Sequence, residues 1–76
     1  MEHAMNKDAL HLLANELQDS RERWDYWRKQ DEKTEWSKVD HLDYGEARGR
    51  YTAVLRVLQV MEIQGLVEEI ITDRVA

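Results

Sequence analysis

Seventy-six residues with no cysteine make at most one small domain, which excludes disulfides and thiolate metal ligands. Apolar residues form 42% of the chain and charged residues 36%, a balance that excludes a disordered tract, and apolar runs as short as Ala53-Val54-Leu55 exclude a membrane span. The net charge of −5 argues against a dedicated nucleic-acid binder, because neutralising phosphates needs a surplus of Lys and Arg.

Residues 1 to 7 are expected to be disordered, with Met1 to Ala4 an appended leader and Met5 the native start. They lack the basic start, apolar stretch and cleavage site of a signal peptide, which together with the missing cysteine predicts a cytoplasmic protein. Proline is absent, and only Gly45, Gly49 and Gly65 interrupt the backbone, so long helices meet few breakers.

The first helix is predicted over residues 8 to 32, with Asn6 or Asp8 as its N-cap. Leu10, Leu13, Leu17, Ser20, Trp24 and Trp27 recur at spacings of 3, 4, 3, 4, 3, the seam of a heptad pattern. Around them the segment is rich in Ala, Leu, Glu, Gln and Arg, all good helix formers. Its charges, from Arg21 to Glu35, alternate in sign as on a solvated helix face.

A connection over residues 33 to 39 leads to a second helix at 40 to 64. Three overlapping capping boxes compete to start it: Ser37 with Asp40, Asp40 with Asp43, and Asp43 with Glu46. Tyr44, Ala47, Tyr51, Val54, Leu58 and Met61 repeat the 3, 4, 3, 4, 3 spacing, so the two seams are expected to pair as an antiparallel hairpin. That pairing groups Trp24 and Trp27 with Tyr44 and Ala47, sets Ser20 beside Tyr51, and places Leu17, Leu13 and Leu10 against Val54, Leu58 and Met61.

The opposite face of this second helix carries another stripe: Leu42, Gly49, Ala53, Val57 and Val60. The first helix cannot cover it. The expected cover is the same helix of a second copy, giving a homodimer with a four-helix core in which the second helix is central and the first is outer. Gly45 and Gly49 cost about 1 kcal/mol each relative to Ala in a helix interior, and close approach of another backbone would explain them. At Gly65 the apolar direction turns by nearly half a revolution. This predicts a C′ cap at that glycine and a short third helix over 66 to 74, in preference to one continuous helix using two faces.

No arrangement for chemistry emerges. His3, His11 and His41 lack metal-ligand spacing, and there is no HExxH. Ser37, Asp40 and His41 are explained by capping rather than by a hydrolytic triad. Gly45-Glu46-Ala47-Arg48-Gly49 lacks the Lys-Ser/Thr of a phosphate loop, and the carboxylates form no repeated ExxE and ExxD set. The expectation is therefore an all-α, non-enzymatic protein-interaction module, without cofactor, catalytic residue or metal. It would act on itself and on a second, unidentified protein, and not on a membrane.

Trp24, Trp27, Tyr44 and Tyr51 read as core. Tyr26 and Trp36, off the seam and in the connection, read as partner contacts, together with the locally basic Arg48, Arg50 and Arg56. The alternative is a nucleic-acid-associated transcriptional regulator using those three arginines, or an acidic mimic of nucleic acid.

The stretch from Gly49 to Met61, Gly-Arg-Tyr-Thr-Ala-Val-Leu-Arg-Val-Leu-Gln-Val-Met, preceded by the Trp-rich first helix, resembles small phage and prophage helical-hairpin proteins. That resemblance covers about half the chain. It implies an accessory protein that binds and alters a host protein, as modulator or inhibitor, and carries over no functional residue. A fainter likeness links Met61 to Ile71 with the helix, glycine and Leu-Val strand of winged-helix domains, without a second wing strand.

Overall fold

The computed structural model describes residues 6–30 and 36–75. It is all-α, with α1 at Lys7–Lys29, α2 at Lys38–Val60 and α3 at Gln64–Val75. The expectations for Met1 to Met5 and for residues 31 to 35 lie outside the described residues.

Asn6 starts α1 by accepting the Ala9 amide at 2.8 Å, as an N-cap does. Of the three competing capping boxes, α2 uses the first. Asp40 N–H donates to Ser37 Oγ at 3.1 Å and Ser37 N–H donates to Asp40 Oδ2 at 3.0 Å, so α2 begins two residues earlier than the apolar periodicity suggests.

α1 and α2 pack against each other as an antiparallel pair. Leu17 and Leu58 are fully buried between them, and Leu10, Leu13, Tyr51, Val54 and Leu55 pack around these. Trp24 meets Tyr44 with ring centroids 5.0 Å apart, as the seams require. The buried Ser20 hydroxyl donates to the Leu17 carbonyl at 3.0 Å, which satisfies its polar atom within its own helix.

The end of α2 differs from the sequence expectation. The helix stops at Val60, four residues early, and the residue in the left-handed region is Glu62, at φ 58°, rather than Gly65. Two hydrogen bonds explain the stop: Glu62 N–H donates to the Gln59 carbonyl at 3.1 Å and Ile63 N–H to the Leu58 carbonyl at 3.0 Å. This is the paired bonding of a Schellman motif, with Ile63 as the apolar residue that returns to the core beside Leu58. Burying Ile63 outweighs the cost of placing a Cβ-bearing residue at positive φ. Gly65 lies instead in the first turn of α3, and Met61, expected on the seam, is 45% exposed at the helix cap. Glu62→Gly is expected to stabilise the chain by roughly 0.5–1 kcal/mol, read from the urea midpoint, because glycine meets no steric penalty there.

The tight joint folds α3 back onto α1. Val67 is fully buried in one cluster with Ala14, and Ile70 and Ile71 pack beside it. Ala14, which carries only a methyl group, leaves room for α3 to approach. The central element within the chain is therefore α1, not α2, because α1 carries one apolar edge toward each neighbour. Leu66 and Val67 are helical, which removes the likeness to a winged-helix strand.

Candidate interaction surfaces

The outer face of α2 carries several exposed apolar residues. Leu42 is 71% exposed, Val57 50% and Val60 75%, and Gly49 and Ala53 are exposed between them. Ala53 and Val57 sit where two shallow grooves adjoin. One runs to Leu13, Glu16 and Val54 at the α1–α2 junction, and the other runs to Arg56, Val60 and Met61. The apolar surface thus wraps from the hairpin seam around to the outside of α2. Beyond the helix's own nearby backbone, no atom of the described residues would lie within 4 Å of a Cβ placed at Gly45 or Gly49, so no described contact compensates their helical cost.

At the closed end of the hairpin the aromatics form one cluster. Trp36 meets Tyr44 and His41 at 5.2 Å each and Trp27 at 6.0 Å, and its indole N–H donates to the Gln30 carbonyl at 3.0 Å. Trp36 therefore closes the hairpin rather than standing free, since its ring is half-buried and its polar atom is satisfied. Tyr26 remains 54% exposed, edge-on to Trp27 at 5.3 Å.

The three arginines of α2 separate. Arg50 bridges to Glu16 at 2.6 Å and to Asp19 at 2.9 Å on α1, so its charge is compensated within the hairpin. These carboxylates hold its guanidinium above its ordinary pKa. Arg48 and Arg56 are exposed, Arg56 beside the apolar groove. A depression of ≈ 430 Å³ near the turn is lined by Arg23, Trp27, Asp43, Glu46, Ala47 and Arg50, a mixture of both signs rather than a basic site. Among the described residues no group of three His, Asp or Glu side chains converges to hold a metal ion, and no helix is long and apolar enough to cross a membrane.

Sequence reasoning missed the polar tie that holds α3. Arg21 on α1 forms a two-pronged pair with Glu68 on α3, at 2.8 and 2.9 Å, while its guanidinium lies 5.8 Å from the Tyr51 ring on α2. In the sequence Arg21 stands within a solvated charge run, and its partner lies 47 residues away. The hydrogen bonds from Arg21 lower the Glu68 pKa, so the pair contributes fully at pH above the ordinary glutamate value. That contribution is lost as pH falls through the lower value of the folded chain. Glu68→Gln is expected to lower stability near neutrality by about 1 kcal/mol, a modest figure because both side chains are about one-third exposed. The variant should also flatten the acid limb of a thermal-denaturation series; an acid limb identical to that of the parent would contradict this role.

The chain belongs to a bacterial family described as an uncharacterised protein conserved in bacteria (DUF2333), whose family model matches residues 1–76. No curated protein and no solved structure matches the chain. The family assignment overturns the phage resemblance drawn from Gly49 to Met61. That stretch carries the general pattern of an amphipathic helix, which unrelated helices share because burial on one face imposes it.

Proposed function

We propose that this member of a bacterial family is a non-enzymatic homodimeric interaction module of the cytoplasm, which self-associates through the outer face of α2 and presents Tyr26 and Arg48 to a second protein. The observation that carries the reading is the imbalance between buried and exposed apolar residues. Only small stretches of each helix are buried, around Ala14, Leu17, Ala47, Leu58 and Val67, while Leu42, Val57 and Val60 lie open on one helix face. A core of this extent gives little net stability to a chain of this length. Covering the three exposed side chains would add roughly 1.5–3 kcal/mol for each one fully buried.

The nucleic-acid reading is the weaker one, because Arg50 is neutralised by Glu16 and Asp19 and no basic stripe remains among the described residues. Sedimentation equilibrium across micromolar concentrations is expected to give twice the chain mass, with thermal stability rising with protein concentration. A single-chain mass throughout that range, with a concentration-independent transition, would refute the module as described.

A further inference from the structure

The α2 face has a further property: its sequence is complementary to its own reverse. Pairing two antiparallel copies of α2 about a two-fold axis at Tyr51 sets Leu42 level with Val60 of the second copy, and Gly49 level with its Ala53. Gly45 then stands level with Val57, and Glu46 with Arg56. Each of these residues is exposed in the single chain. Glu46 and Arg56 make no ion pair with any described residue, and at about 100° per residue they lie on opposite sides of the stripe's centre line. The long arginine side chain can cross the stripe over the space that Gly45 leaves, because no atom of the described residues beyond the helix's own nearby backbone would lie within 4 Å of a Cβ there.

We infer that the dimer, whose existence rests on the function proposed above, is an antiparallel α2–α2 pair with its two-fold axis near Tyr51, registered by Glu46–Arg56 pairs and by the gaps at Gly45 and Gly49. A parallel pair would set Glu46 beside Glu46 and Arg56 beside Arg56, and it would place Val57 against Val57 rather than against the gap at Gly45. The antiparallel pair sets Glu46 level with Arg56 and Val57 level with Gly45, brings the small Gly49 and Ala53 together at the centre where the backbones can approach, and leaves Leu42 and Val60 to cover each other at the ends. Closed two-fold symmetry also fits one self-complementary patch.

The chain has no cysteine, so single introduced thiols report position without background. At 1.5 Å rise per residue, the two copies of residue 53 stand about 6 Å apart along the axis, and the two copies of residue 42 about 27 Å apart. With a short bis-maleimide, A53C is therefore expected to cross-link to itself, L42C and V60C alone to fail, and an equimolar mixture of L42C and V60C to link. In parallel, E46R or R56E should each weaken the dimer by about tenfold, and E46R/R56E together should restore it, with two pairs lost per dimer in each single variant.

Self-linking of L42C and of V60C as strong as that of A53C would overturn the antiparallel register while leaving a dimer in place. A double variant as weak as the sum of the singles would likewise remove the charge pairing. A monomeric parent chain with no linkage in any variant would overturn the dimer itself.

Discussion

Leu17→Ala is expected to leave the chain largely unfolded at 25 °C. Leu17 has no exposed surface and sits where the α1 face toward α2 and the α1 face toward α3 meet, in one cluster with Ala14, Leu58 and Val67. Truncating a fully enclosed leucine costs roughly 2–5 kcal/mol through lost transfer energy and the cavity left behind, which is comparable to all that a core of this size contributes. Far-UV circular dichroism should show most of the helical signal gone, because helices of this length are marginal in water without tertiary packing. Leu12→Ala is the matched control: Leu12 is 68% exposed, and its removal should shift stability by no more than about 0.5 kcal/mol. A Leu17→Ala variant that keeps a cooperative transition near the parent's would show that the enclosed cluster is not what holds the helices together.

The second large effect is expected from Val57→Asp, which should convert the proposed dimer to monomers and raise its dissociation constant by at least about 100-fold, since a carboxylate without a partner would be buried at the proposed interface. Val57 is half exposed in the single chain and lies beside Ala53 in both grooves. The substitution should therefore change association far more than helix content. Val60→Asp, at a position 75% exposed, provides a second route to the same outcome with even less risk to the fold. If both variants elute from a sizing column as the parent does, the α2 face is not the contact surface.

The two predictions divide the molecule. Leu17 belongs to contacts that the single chain completes, whereas Val57 and Val60 belong to a surface that the chain leaves open. Helix content separates them: it should collapse in the first variant and persist in the other two.

Much of this architecture was legible in the residues. The 3-4 recurrence of Leu13, Leu17, Ser20 and Trp24, and of Tyr44, Ala47, Tyr51, Val54 and Leu58, fixed two helices and their facing sides, because side-chain direction on a helix follows from spacing alone. Asn6 and the Ser37-Asp40 box stand among the start signals that the sequence offers, since capping is a local hydrogen bond between near neighbours, but which of the competing signals each helix uses is set by the fold. The exposed stripe on α2 was visible from spacing alone.

Where α2 ends, and which helix is central, were not legible. A local reading favours glycine at a positive-φ position, but the chain turns at Glu62 because Ile63 gains burial beside Leu58. The Leu58–Ile63 pair is present at the joint, but its advantage over a turn at Gly65 comes from burial that exists only once the helices pack. The docking of α3 on α1 depends on Ala14 meeting Val67 and on Arg21 reaching Glu68, contacts between residues about fifty positions apart. Likewise Arg50 is one of three locally basic residues in the sequence, and only the hairpin brings Glu16 and Asp19 of α1 against it. Periodicity and capping are properties of neighbours along the chain, so the sequence by itself determined the helices and their faces. The energy of burial and of distant ion pairs depends on which faces meet in space, and that was decided only by the tertiary structure.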